Sequence, residues 1–107
     1  MTTALETIKS AIDGNDVVLF MKGTQNFPQC GFSARAVQLL QPLGKIYAVD
    51  VMKEPAVRDG IKVYSNWPTI PQLYIAGEFM GGSDIMTEMY EAGDLQKCID
   101  LLAGATD

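Results

Sequence analysis

The residues best suited to chemistry are Cys30-Gly31-Phe32-Ser33, set where a short apolar run gives way to helical spacing. A cysteine at a strand-to-helix junction faces free backbone N–H groups and the positive end of a helix dipole. Both favour thiolate over thiol, so such a sulfur can serve as nucleophile or metal ligand near neutral pH. A C-x-x-C motif would place a second thiol three residues on, and Ser33 stands there instead. The sulfur therefore cannot close a local disulfide, and its second partner must come from outside the motif. The other thiol, Cys98, falls in the stripe Leu95, Cys98, Ile99, Leu102 and reads as a small core residue rather than a resolving thiol. The chain has no histidine, which removes Ser-His and Cys-His catalysis and every His-ligated metal site.

The elements that must position Cys30 follow from spacing. Thr3-Ala4-Leu5-Glu6 fits a capping box, and Leu5, Ile8 and Ile12 recur at helical intervals up to Gly14. Val17 to Met21 is a continuous apolar run, short enough for a strand buried on both faces. A polar loop from Lys22 to Gln29 then delivers Cys30, and a helix to about Gln41 carries Phe32, Ala36, Val37 and Leu40 on one side. Ile46 to Val51 reads as a second strand. Pro55 opens a helix to about Tyr64 with Ala56, Val57 and Ile61 inward, and Gly60 weakens it. Gln72–Ile75 and Glu78–Met80 flank Ala76-Gly77 as a hairpin. Ser83-Asp84 opens a further helix, Gly93 breaks it, and Asp94 caps a last one.

This α-βα-βα-ββ-αα order predicts one α/β domain spanning residues 1–107, with a small mixed sheet of four strands flanked by helices. The reactive loop should leave the carboxyl end of the first strand, the usual ligand edge of an open α/β sheet. A cysteine opening a helix there is the thioredoxin-like arrangement, here with an extra N-terminal helix.

At 107 residues the chain supports a single core. Its formal charge of −5 argues against generic binding to nucleic acid or to anionic membranes. No run of about 20 apolar residues is present. The opening Met-Thr-Thr-Ala-Leu-Glu reads as a helix start rather than a targeting signal. Two cysteines 68 positions apart form no secreted disulfide framework, so a reducing cytoplasmic setting is expected.

Four strings in register carry a resemblance: Lys22-Gly23-Thr24, Cys30-Gly31-Phe32-Ser33, Trp67-Pro68-Thr69-Ile70-Pro71-Gln72 and Gly81-Gly82-Ser83-Asp84. Together they resemble the monothiol glutaredoxins of the CGFS type over nearly the whole chain. The resemblance implies a thioredoxin fold, glutathione binding and a [2Fe–2S] cluster shared by two subunits of a homodimer. It also implies roles in iron–sulfur cluster transfer and iron homeostasis, with BolA-type proteins and cluster recipients as partners.

On this resemblance Cys30 is both the reactive thiol and the iron ligand. A [2Fe–2S] cluster takes four thiolates; two chains give two, and two glutathione thiolates complete the set. Lys22 and Arg58 could pair with the glycine carboxylate of glutathione, although each also reads as an ordinary solvated side chain. Thr69-Ile70-Pro71 resembles the family's TVP segment, in which the bond before proline is cis and the preceding residue pairs with the ligand backbone. The amides of Gly82, Ser83 and Asp84 would hold the γ-glutamyl carboxylate, with Asp84 facing the ammonium; helix capping explains Ser83 and Asp84 equally well. Phe32 and Trp67 are commoner as packing residues, and Trp67 enters as a pocket wall. Ser83 stands where some relatives carry cysteine, which removes a second thiol near Cys30. Gln25 replaces a proline found in many relatives, which predicts a more mobile loop ahead of Cys30.

Three functions compete. The first is a glutathione-dependent cluster carrier. The second is a glutathione-dependent thiol–disulfide oxidoreductase acting through Cys30, a weak enzyme at most because Ser33 cannot resolve a mixed disulfide. The third is an interaction module whose partner affinity changes with the cluster.

Overall fold

The computed structural model describes residues 3–105. Thr3 caps α1 (Ala4–Gly14), its side chain accepting the Glu6 N–H at 3.1 Å. The inward face of α1 is Ile8, Ala11 and Ile12, while Leu5 lies outward. β1 (Val17–Met21) is buried at every position, as a continuous apolar run should be. After it come α2 (Gly31–Leu40), a 3₁₀ turn at Gln41–Leu43, β2 (Tyr47–Asp50) and α3 (Pro55–Ser65). The chain ends in β3 (Gln72–Ile75), β4 (Glu78–Gly81), α4 (Ser83–Ala92) and α5 (Asp94–Ala105).

The strands form one mixed sheet in the order β2-β1-β3-β4. β1 pairs with β2 in parallel and with β3 antiparallel, Leu19 lying opposite Ala48 on one side and Leu73 on the other. The β3–β4 hairpin turns at Ala76 and Gly77, both with positive φ (52° and 84°), the geometry that two-residue hairpins favour.

Alternation along β1 sends side chains to two separate cores. Val18 and Phe20 join Tyr74, Val49 and Val51 beneath α1 and α3, with Ile8, Ile12, Val57 and Ile61 closing that side. Val17, Leu19 and Met21 meet Ala36, Val37, Leu40, Met86 and Leu95 beneath α2, α4 and α5. Cys98 and Ile99 pack at the edge of this second core, as the α5 stripe predicts. No helix among the described residues is long and apolar enough to cross a membrane.

Three expectations for the helices need correction. Phe32 does not share the inward stripe of α2; it is 63% exposed, and Leu39 takes its place. Ala56 is exposed, leaving Val57 and Ile61 as the inward pair of α3. Gly60 is more than a weak point: a Cβ there would approach Ile8 Cδ1 to 3.2 Å, so its bareness lets α3 lie close to α1.

Candidate functional site

β1 ends at Met21, and Lys22 begins a tight loop that returns the chain to the start of α2. Gly23 pairs with Pro28 across this loop, Gln29 N–H donates to Lys22 C=O at 2.9 Å, and Thr24 and Phe27 exchange backbone hydrogen bonds. The Gly23 N–H donates to Asp50 Oδ1 at 3.0 Å, fastening the loop to the end of β2. Gln25 ties it again, donating to Ile46 C=O at 3.2 Å and accepting from Gln41 Nε2 at 3.3 Å. Gln25 thus gives the loop two side-chain tethers where many relatives have a proline ring.

Cys30 is the N-cap of α2, in extended conformation and partly exposed, with no side-chain cap on the first turn. Its thiol is held below the ordinary cysteine value, first by the backbone N–H of Ser33. Partial burial opposes this, and the Phe32 N–H, the Lys22 ammonium and the Ser33 hydroxyl reinforce it. The helix-start and lysine effects expected at this junction thus act together.

Beside Cys30 opens a cleft of about 420 Å³. Lys22, Cys30 and Phe32 form one wall and Arg58 of α3 another. The 67–71 segment contributes Trp67, Thr69, Ile70 and Pro71, with the Ile70–Pro71 bond cis. Gly82, Ser83 and Asp84 close the cleft at the start of α4. Every candidate site residue named from the sequence thus lines this one cleft. Cys98 does not.

The helix-capping alternative for Ser83 and Asp84 fails on geometry. Gly82 is the N-cap of α4, Ser83 is its first helical residue, and no side chain caps that end. The first N–H groups of α4 accordingly remain available at the cleft, the arrangement that suits a carboxylate. Gly82 also leaves a cradle that a Cβ would fill, 3.1 Å from Trp67 Nε1 and 3.7 Å from Thr69 Oγ1. Trp67 Nε1 is buried there without a hydrogen-bond partner.

Sequence reasoning missed Lys62. It lines the cleft one helical turn beyond Arg58, and the i, i+4 spacing on α3 was the available signal. With Lys22, Arg58 and Lys62 set against Asp84, the cleft carries three cations and one carboxylate in a protein whose net charge is −5. The pair between Arg58 Nε and Asp59 Oδ1, 3.9 Å apart and exposed, holds Arg58 only weakly.

A mixed four-stranded sheet with a cysteine at a helix start, sharing a cleft with a cis-proline segment, defines a thioredoxin-like thiol protein. The glutaredoxin family profile matches residues 17–80. A ycf64-like monothiol glutaredoxin of Synechocystis is 52% identical over 95 residues, covering 88% of this chain and 89% of that one. Glutaredoxin 4 of Escherichia coli K12 is 47% identical over 100 residues, covering 92% and 87% of the two chains. The solution structure of a monomeric truncated mutant of Trypanosoma brucei 1-C-Grx1 superposes with a TM-score of 0.85 at 41% identity, covering 96% and 94%. The chain belongs to the glutaredoxin family, among its monothiol members.

Proposed function

We propose that this protein binds glutathione in the Cys30 cleft and carries a [2Fe–2S] cluster between two copies of the chain, passing it to recipient proteins. The observation that carries the reading is the single thiol at the mouth of a cationic cleft. Among the described residues no group of three or more His, Cys, Asp or Glu could hold a metal ion, so one chain alone cannot supply the four thiolates such a cluster takes. Two Cys30 thiolates and two glutathione thiolates complete the set.

The cleft suits glutathione by charge and shape. Lys22, Arg58 and Lys62 offer cations for its glycine carboxylate, within reach of the 67–71 segment. At the other end, the free N–H groups of α4 suit the γ-glutamyl carboxylate, and Asp84 suits the ammonium. Gly82 admits the ligand backbone close to the helix. The Cys30 thiol is lowered by the Ser33 and Phe32 amides, Lys22 and the Ser33 hydroxyl, which favours thiolate without needing a histidine. Exposed Phe27 and Phe32 flank Cys30 in sequence and give a second subunit or a BolA-type partner apolar surface to cover. This function fits a reducing compartment such as the cytoplasm.

The same lowered thiol favours a second activity. Cys30 thiolate would attack the glutathione sulfur of a protein–glutathione mixed disulfide, breaking the S–S bond and releasing the protein thiol. A second glutathione thiolate would then attack the Cys30–glutathione disulfide, releasing oxidised glutathione and restoring Cys30. Ser33 makes the external thiol obligatory.

Anaerobic reconstitution with iron, sulfide and glutathione distinguishes the two, read by visible absorption and gel filtration. Charge-transfer bands in a dimer, lost in Cys30→Ser and without glutathione, are expected. A colourless monomer under every condition would overturn the carrier reading and leave the oxidoreductase.

A further inference from the structure

Two polar side chains among the described residues are completely buried, Ser33 and Gln72. They lie on different elements, α2 and β3, and each spends its polarity on the backbone of a segment that lines the cleft. Lys22 N–H donates to Ser33 Oγ at 3.0 Å, joining the end of β1 to the first turn of α2. Gln72 Nε2 donates to the carbonyls of Trp67 and Thr69, both at 3.1 Å, gathering the segment that carries the indole and the cis-proline. The other end of that segment is held independently: Trp67 N–H donates to Lys62 C=O and to Ser65 Oγ, both at 3.1 Å. Gln72 Oε1 finds no partner, so this residue keeps a buried, half-satisfied amide for the sake of its donor contacts. Burying a polar group in this way is unfavourable unless its bonds specify something.

We propose that Ser33 and Gln72 are positioning residues that set the cleft from inside the core, Ser33 fixing Lys22 against Cys30 and Gln72 fixing Trp67 and Thr69 against Gly82. Ser33 is then more than a missing second thiol: a hydroxyl accepts the Lys22 N–H at a distance where a thiol is a poor acceptor. Lys22 is the charged group that acts on Cys30; Arg58, Lys62 and Asp84 line the same cleft from α3 and α4.

The protein carries its own reporter for each clamp, and neither needs glutathione or a cluster. For Ser33 the reporter is hydrogen exchange of the Lys22 amide, the group its hydroxyl holds, followed by NMR. For Gln72 it is quenching of the chain's single tryptophan, Trp67, by acrylamide. Variants are compared under conditions where circular dichroism shows each fully folded. Ser33→Ala should speed exchange of the Lys22 amide by about two- to tenfold and leave Trp67 quenching unchanged. Gln72→Met should raise the quenching constant and leave Lys22 exchange unchanged; Gln72→Leu, similar in volume and without a donor, should do the same if Gln72→Met does not fold. Lys22 exchange in Ser33→Ala at the wild-type rate, or wild-type quenching in the Gln72 variant, would overturn the proposal. So would equal movement of both reporters in both variants, since that marks general loosening.

Discussion

The Asp50 carboxylate at the end of β2 accepts the backbone N–H of Gly23 at 3.0 Å and of Met52 at 2.9 Å through the same oxygen, Oδ1. One side chain thereby ties the loop that leads to Cys30 to the turn that follows the neighbouring parallel strand. Asp50→Ala removes the acceptor and leaves two N–H groups short of a partner. It should cost about 1–3 kcal/mol in urea unfolding. Amide exchange should show residues 22–29 losing protection before the sheet does. Unchanged exchange in that loop would mean that the backbone bonds among residues 22–29 hold it unaided.

Cys30 should titrate below an ordinary thiol. Its alkylation rate is expected to inflect beneath the usual cysteine value of about 8.5. Lys22→Gln should raise the inflection and leave part of the lowering, because the Ser33 N–H is the larger cause. The sign for stability follows from linkage. A folded-state value lowered relative to the unfolded chain gives stability that is full above the unfolded value and is lost as pH falls through the folded one. Cys30→Ser should remove that dependence. Cys98→Ala should leave the Cys30 profile alone, since Cys98 packs against a core and lies outside the cleft.

Tyr74 should govern the alkaline limb. Its ring is buried between Phe20 and Phe79, at centroid distances of 5.7 and 5.4 Å. Burial pushes its hydroxyl up to about 12. Here the folded value is raised, so the contribution is full below the unfolded value of about 10 and is lost as pH climbs towards the folded value. Ser65 opposes that rise, yet the Tyr74 hydroxyl makes no hydrogen bond of ordinary length, so Tyr74→Phe should be well tolerated at neutral pH. It should flatten the fall in melting temperature between pH 10 and pH 12. An unchanged alkaline limb would assign that fall to other groups.

Glutathione binding should be sensitive to volume at Gly82 and to charge at Lys62. A methyl group at position 82 would come within 3.1 Å of Trp67 Nε1. Crowding of that kind costs about 1–3 kcal/mol, so Gly82→Ala should weaken binding by roughly tenfold or more in calorimetry. Lys62→Gln should weaken it by a smaller factor, about two- to fivefold, and reduce its dependence on salt. Wild-type affinity in both variants would move the ligand away from the start of α4.

The core should report the two-sided role of β1. Ile61 is fully buried beneath α3, and Leu40 is fully buried beneath α2 on the opposite face. Each truncation to alanine should cost about 2–5 kcal/mol. The two effects should add, because the side chains belong to separate clusters. Strong coupling in a double-mutant cycle would show the sheet transmitting strain between its faces.

Local physics made much of this legible in advance. An unbroken apolar run reads as a strand buried on both faces, and Val17–Met21 is one. Thr3, Gly14, Pro55 and Gly93 mark helix ends because capping and breaking are properties of one residue and its nearest neighbours. Ala76-Gly77 accommodates positive φ and turns the hairpin. Four short strings fixed the family, and with it the residues that line the cleft.

What the chain could not disclose locally depended on what lies across space. Phe32 and Ala56 occupy inward-looking positions of a helical wheel, yet no neighbouring element covers them. Gly60 reads as a flaw until Ile8 is seen against it. Gln25 reads as a lost proline until Ile46 and Gln41 are found at its amide. Ser33 and Gln72 are ordinary polar letters whose partners sit 11 residues away in one case and on a folded-back turn in the other. Composition and spacing determine which segments become helix or strand and which thiol stands at a helix start. Only packing decides which polar atoms are sealed inside, because burial belongs to pairs of elements and to no single stretch of sequence.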